Sequence, residues 1–176
     1  YITVSLWRDY QAGRHEVYEV EMASDLRRDQ RKDEVIITPS TKADYGIHDE
    51  PISKRAIVEQ GLVDAATLEQ PCNYALALFA RGEEIARAQG LILVDTKYEF
   101  GMIDGELVVI DEIHTADSSR YWVADEYEAR FAAGEPQRML DKENIRQWLI
   151  GQGYQGDGEP PAIPDDVRLD LAETYA

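Results

Sequence analysis

The stretch Leu91-Ile92-Leu93-Val94-Asp95-Thr96-Lys97-Tyr98-Glu99-Phe100-Gly101, with Leu107-Val108-Val109-Ile110-Asp111-Glu112 close behind it, decides how this chain is read. Residues 91–94 and 107–110 are short, branched, wholly apolar runs of the kind that form buried strands. Asp104-Gly105 between them is a strong hairpin signal. The reading predicts one hairpin, 91–94 outgoing and 107–110 returning, with carboxylates delivered at the same end of both strands. Side chains alternate along a strand, so Asp95, Lys97 and Glu99 share a face if the chain stays extended. Glu99 lies opposite Asp111 only if the turn holds an odd number of residues or a bulge intervenes, because a slip of one residue changes the face. A three-residue loop at 104–106 would make them partners. Facing carboxylates repel unless a cation sits between them, and Mg²⁺ shared with phosphate oxygens is the usual resolution. An exposed hairpin end with solvated acids explains the same pattern equally well.

Just downstream, His114-Thr115-Ala116-Asp117-Ser118-Ser119-Arg120-Tyr121-Trp122 packs hydroxyls, a carboxylate and a guanidinium together. Small hydroxyls and backbone N–H groups can cradle a phosphate, and arginine can fork onto it. As bare composition this is a weak signal, since Ser/Asp-rich turns are common. His114 by itself reads as a turn residue rather than a base.

Helical patterns flank this segment. One short helix is expected over residues 54–60, ending at Gly61, and another begins near Asp64. A stronger helix runs from about Glu69 to Gln89, with Pro71 in its first turn and Gly90 as its cap. Cys72, Leu76, Phe79 and Ala80 share one face of it, which makes Cys72 a packing residue. Residues 125–133 and 142–150 also read as helices. Asp141 is the expected N-cap of the latter, and Ile145, Trp148 and Leu149 its buried stripe. Residues 151–164 form a Gly/Pro-rich connector to a last amphipathic helix. Toward the N-terminus, residues 2–6 and 15–20 read as strands and 25–34 as a charged surface loop. Residues 40–53 form a long loop of small, charged and turn residues.

The whole sequence has 176 residues, 35 acidic against 18 basic, a net charge of −17 and a single cysteine. Such a surface disfavours nucleic acid as a partner, while metal-bound phosphates suit carboxylates. No apolar run approaches the ~20 residues of a membrane span, and no disulfide framework is possible. These features point to the cytoplasm. Both ends read as cut within elements, so a piece of a longer chain is expected.

Residues 93–101 together with Ile110-Asp111-Glu112-Ile113-His114-Thr115-Ala116-Asp117-Ser118-Ser119-Arg120-Tyr121-Trp122 resemble the SAICAR synthetase family of purine biosynthesis. The resemblance extends to Ser5-Leu6-Trp7-Arg8-Asp9-Tyr10, Thr38-Pro39-Ser40-Thr41-Lys42-Ala43, His48-Asp49-Glu50-Pro51-Ile52-Ser53 and Asp141-Lys142 through Trp148-Leu149. One departure is Val4-Ser5, where the family has Gly-Ser. The other is the absence of the family's glycine-rich N-terminal nucleotide-covering lobe.

The resemblance implies an α+β fold: an antiparallel sheet with flanking helices, like the larger C-terminal lobe of a two-lobed, kinase- or ATP-grasp-like ATP-binding protein, with residues 1–176 forming that lobe. It implies ATP-dependent joining of L-aspartate to carboxyaminoimidazole ribonucleotide (CAIR), with release of ADP and phosphate, and no turnover by this piece alone. It assigns Glu99 and Asp111 to Mg²⁺, Lys97 to the ATP phosphates and Asp95 to positioning. Ser5, Asp117, Ser118, Ser119 and Arg120 would take the ribonucleotide phosphate and ribose. Lys42, Asp49, Glu50 and Ser53 would lie over the imidazole carboxylate and the incoming aspartate. The partners implied are small molecules, with neither nucleic acid nor membrane. A kinase-like phosphotransferase and a non-catalytic nucleotide-binding lobe are the alternatives. The intact carboxylates argue against the second, and the Asp117-Ser118-Ser119-Arg120 run favours a ribonucleotide over the first.

Overall fold

The computed structural model describes residues 1–14, 18–19, 22–42, 49–140, 142–154 and 156–175, with the side chains of Ser5, Glu143 and Tyr175 outside that description. The chain is α+β and divides into two compact units, Tyr1–Leu78 and Phe79–Ala176.

In the first unit, the strand expected over residues 2–6 is a helix. Only Ile2 makes a ladder contact, an antiparallel bridge to Gln30, and α1 (Val4–Gln11) follows immediately. The helical spacing of Leu6, Trp7 and Tyr10 overrides their β-prone context, because one helical face carries all three to a common partner. That partner is the cluster of Ile2, Tyr18, Leu26, Met22 and Ile36. The rings of Trp7 and Tyr10 stack at 5.5 Å. Val4 takes φ 40, a left-handed value that strains a β-branched residue, at the position where the family pattern has glycine. Of the strand expected over 15–20, residues 15–17 and 20 lie outside the described residues, while Tyr18 and Glu19 sit in a turn.

The long loop is closed at its base. Ser40 bridges Pro51, Thr41 N–H donates to Glu50 O (2.9 Å), and Ile52 N–H donates to Pro39 O (3.1 Å). Ser53 then caps α2 (Lys54–Glu59), its Oγ accepting from Ala56 N–H at 3.0 Å. The two helices expected beyond Gly61 are one, α3 (Ala65–Ala88), with Pro71 inside it rather than in its first turn. Asp64 starts it early by accepting from Thr67 N–H at 3.0 Å. Proline costs a helix one hydrogen bond and a kink, which a 24-residue helix absorbs. Cys72 and Phe79 are half-buried, but Leu76 and Ala80 are exposed. The buried positions of α3 are Gly82 and Ala86 instead.

The second unit corrects the predicted strand pairing. β1 (Leu91–Thr96) pairs with β4 (Ser119–Val123), while β2 (Phe100–Ile103) pairs with β3 (Glu106–Val109), giving two separate antiparallel pairs. The return strand therefore comes back to the segment after β1. β1 and β4 supply the core, with Leu93, Val94 and Trp122 almost fully buried. Trp122 stacks on Tyr127 of α4 (Ala124–Ala133), and Tyr127 on Phe131. In α5 (Glu143–Gly151) the expected stripe of Ile145, Trp148 and Leu149 is half-buried, while Asp141 lies outside the described residues. α5 touches α6 (Asp165–Tyr175), the last helix of the chain.

Gly82 is the tightest point of this unit. A Cβ there would fall 2.5 Å from His114 Cε1 and 2.7 Å from Leu93 Cδ2. Gly82→Ala is therefore expected to destabilise the protein by about 1–3 kcal/mol through overpacking, despite the ~1 kcal/mol that alanine gains over glycine in a helix. A lowered denaturant midpoint at unchanged slope is the expected result, and a raised midpoint would contradict this packing.

Candidate active site

The site grows from one strip of backbone, residues 97–99, which leaves β1 and enters β2. Lys97 N–H donates to Ser118 O at 3.1 Å, and Glu99 O accepts from Ile110 N–H at 3.0 Å. The chain between those two partners, residues 111–117, is therefore an excursion that departs opposite Glu99 and returns opposite Lys97. This lays the backbone of the excursion beside residues 97–99, in place of the single hairpin expected. The register also differs from the expectation of a three-residue loop. Ile103 pairs with Glu106 across a two-residue turn in which Asp104 and Gly105 both have positive φ, 52 and 84. With Phe100 opposite Val109, Glu99 faces Ile110 and Asp111 lies one residue past direct opposition, so the two acids are not the cross-strand partners that a three-residue loop would have made them.

Lys97 and Glu99 share a face, as alternation requires, and their ion pair closes at 2.8 Å. The glutamate is 17% exposed and the lysine 55%, so the carboxylate is the sheltered member. Upstream, the β1–β4 register shifts between Leu93 and Asp95, a bulge that sets Asp95 opposite Arg120. Arg120 Nη1 donates to Asp95 Oδ2 at 2.7 Å. Thr96 and Ser119 are the next pair, their hydroxyls 2.8 Å apart. Ser119 is buried, and Ser118 Oγ lies 3.3 Å from its hydroxyl.

The excursion is organised by Thr115, a residue the sequence reading did not single out. Its Oγ1 accepts from the N–H groups of Asp117 (3.3 Å) and Ser118 (3.1 Å) and donates to Glu112 Oε2 (2.5 Å). Its own N–H donates to Ser118 Oγ at 3.2 Å. A Thr-x-x-Ser spacing at the start of a turn is the available sequence signal, because such hydroxyls bond locally to backbone N–H groups. Asp111 Oδ1 accepts from Glu112 N–H at 2.9 Å. Lys142 binds Asp117 at 2.9 Å, and its hydrogen bond and charge hold that exposed carboxyl below its ordinary range.

His114, midway along the excursion, has a left-handed φ of 57. Its Nε2 shares a 2.5 Å hydrogen bond with Tyr98 Oη, and its carbonyl accepts from Tyr121 Oη at 2.7 Å. Burial pushes the imidazole below 6.5, and it pushes Tyr98, with help from Tyr121, up to about 12. Both rings are thus neutral at pH 7.

Asp95, Lys97, Glu99, Asp111, Asp117, Ser118, Ser119 and Arg120 accordingly occupy one strip, its strand partners and the excursion between them. Lys42, Asp49, Glu50 and Ser53 belong to the first unit. The first three stand exposed at the base of the long loop, and Ser53 keeps a hydroxyl hydrogen to donate after capping α2. The Ser5 side chain lies outside the described residues. Among the described residues no three His, Cys, Asp or Glu side chains form a metal cage. Mg²⁺ takes one or two carboxylates together with substrate phosphates. Glu99, already holding an ammonium group, has the hard oxygens and the shelter for such an ion.

The sequence and the α+β fold are both matched by known proteins. A sequence model of the SAICAR synthetase family matches residues 4–161, and the chain belongs to that family. The chain is 50% identical over 177 residues to the phosphoribosylaminoimidazole-succinocarboxamide synthase of Bacteroides thetaiotaomicron, covering 99% of this chain and 56% of the relative. The Bacteroides fragilis enzyme of that name is also 50% identical, over 180 residues, with the same coverage of both chains. Among solved structures, SAICAR synthase from Saccharomyces cerevisiae complexed with SAICAR superposes with a TM-score of 0.80 at 32% identity, over 99% of this chain and 55% of that one. The chain spans about half the length of the relatives it matches.

The depressed basicity of His114 has a consequence for stability. With its folded value below 6.5, the unfolded chain takes up the proton first as pH falls. The contribution of the neutral ring is fully present above about 6.5 and is lost as pH drops through the folded value. An NMR titration of the His114 ring is expected to show a midpoint below 6.5, and a midpoint above that would refute burial as the controlling cause.

Proposed function

We propose that this chain forms the substrate- and Mg-ATP-binding lobe of an enzyme that joins L-aspartate to the carboxylate of CAIR at the expense of ATP, giving SAICAR, ADP and phosphate. The observation that carries this reading is the excursion 111–117, which departs opposite Glu99 and returns opposite Lys97. On this reading its carboxylates would serve a metal-bound phosphate chain, and its hydroxyls, with the Arg120 guanidinium, a second phosphate.

A carboxylate is a poor electrophile. A carboxylate oxygen of CAIR attacks the γ-phosphorus of ATP, the bond to the β-bridging oxygen breaks, and ADP leaves. The aspartate amine then attacks the acyl carbon of the resulting acyl phosphate, inorganic phosphate departs, and the nitrogen loses a proton. Phosphoryl transfer of this kind is catalysed by positioning and charge stabilisation. Glu99 and Asp111 would hold Mg²⁺, which when bound neutralises charge on the ATP phosphates. Lys97, tethered by Glu99 at 2.8 Å, presents its ammonium to the transferred group. Asp95 orients Arg120, leaving the remaining guanidinium donors for the ribonucleotide phosphate beside Ser118 and Ser119. Asp117, steadied by Lys142, supports the same turn. Lys42, Asp49, Glu50 and Ser53 would contact the imidazole carboxylate and aspartate. A cytoplasmic setting fits these soluble substrates.

The test is steady-state turnover by the full-length protein with ATP, CAIR and aspartate. ADP and SAICAR are expected in equal amounts and only when aspartate is present; ADP formed at the same rate without CAIR would overturn the reading. Glu99→Gln is expected to lower kcat about a hundredfold, the scale of losing one preorganised charge-stabilising group, with an unchanged circular dichroism spectrum. Arg120→Ala is expected to weaken CAIR binding by roughly ten- to a hundredfold and ATP binding little, since a charge-assisted bidentate contact contributes about 1.5–3 kcal/mol. Calorimetry showing the ATP affinity falling instead would move Arg120 to the nucleotide.

A further inference from the structure

We propose that Tyr98 and His114 are a positioning pair which fixes the 111–117 excursion against residues 97–99, so that Asp111 and the Thr115 turn stand at a set distance from Glu99 and Lys97. The inference rests on the ligase reading for what the excursion holds, and on geometry alone for how it is held. Tyr98 is the residue between Lys97 and Glu99, and those two share the opposite face through their 2.8 Å ion pair. The strip thus presents two charged side chains on one side and one phenol on the other. That phenol meets the middle of the excursion: Tyr98 Oη and His114 Nε2 are 2.5 Å apart, and the rings meet edge-on with centroids 5.6 Å apart.

His114 is fixed from three further directions. Its backbone is held at φ 57. Its carbonyl accepts from Tyr121 Oη at 2.7 Å. Its ring lies where any side chain at position 82 would intrude, 2.5 Å from an ideal Cβ on Gly82. A residue equally far from Asp111 and Asp117 is therefore tied to the strip, to β4 and to α3 at once. The backbone pairs at Ile110 and Ser118 fix the ends of the excursion, and Ser119 N–H to Thr115 O (2.9 Å) with Lys142 N–H to Ala116 O (3.4 Å) holds its second half, which leaves residues 111–114 to the tie through His114. Without the tie at His114, Asp111 would keep its place in the sequence but lose its spacing from residues 97–99. Misplacement of reacting groups by an ångström can cost about a hundredfold in rate.

The experiment uses the full-length protein carrying Tyr98→Phe, His114→Asn, both together, and His114→Gln, at a temperature well below the lowest melting midpoint of the set. Three quantities are read: kcat/KM for ATP, the Mn²⁺ dissociation constant in the presence of ADP from water-proton relaxation, and amide exchange over residues 111–118. Tyr98→Phe and His114→Asn are each expected to lower kcat/KM about 5- to 50-fold. Each should also weaken Mn²⁺ binding and speed exchange in the excursion, and the double variant should do little more than the worse single. His114→Gln, whose amide can reach Tyr98, is expected to recover most of the loss. Lower melting points with unchanged kinetics and Mn²⁺ binding would reduce the pair to packing and overturn the proposal, as would additive effects of the two single changes. A wild-type protein that makes no SAICAR would refute the ligase reading separately. In that case unaltered exchange over 111–118 in Tyr98→Phe would overturn the pairing as well.

Discussion

Two backbone hydrogen bonds from residues two apart on one strip, Lys97 N–H to Ser118 O and Ile110 N–H to Glu99 O, join the halves of the second unit. A two-stranded ribbon is marginal by itself, and this unit has two of them, β1–β4 and β2–β3. The strip 97–99 runs out of one and into the other, so each ribbon continues into its neighbour through it. The backbone of Lys97 and Glu99 makes these two bonds, while their side chains pair with each other at the candidate site. Fold and site share the same three residues through different atoms.

That sharing explains why the electrostatics of the site are already settled within the chain. Three of its cations each meet a carboxylate at hydrogen-bond distance: Lys97 with Glu99 at 2.8 Å, Arg120 with Asp95 at 2.7 Å and Lys142 with Asp117 at 2.9 Å. In a chain with net charge −17, positive groups gathered at one place would otherwise sample many acidic neighbours. Pairing each with a near carboxylate holds its position. On the proposed reading, an incoming phosphate would meet oriented charge, and little reorganisation would accompany binding.

The turn and the strands of this region were more legible in the sequence than their connectivity. Asp104-Gly105 announced its turn because a two-residue loop with both φ positive admits few other residues. Residues 91–94 and 107–110 were visible as strands but not as partners of other strands. Two apolar runs look alike, and nothing local in Leu93 says that Tyr121, not a residue of β3, lies beside it. The same limit hid the tie between Tyr98 and His114, whose contact exists only once the excursion has closed. In α3, Pro71 drew the predicted start too late, since the Asp64 cap outweighed proline's penalty. At the N-terminus, β-propensity was outweighed by a helical face that only Tyr18, Leu26 and their neighbours could bury.

Trp122 stands one residue beyond Arg120 and Tyr121 in β4, fully buried and stacked on Tyr127 at 5.7 Å. The other tryptophans, Trp7 and Trp148, are half-buried in α1 and α5. The indoles therefore differ in polarity of surroundings, and only Trp122 adjoins the strand that carries Ser119 and Arg120. Its emission should be the most blue-shifted and the least accessible to an aqueous quencher. Intrinsic fluorescence, with Trp7 and Trp148 replaced by phenylalanine, would make β4 its own optical reporter, following the candidate site without any attached label.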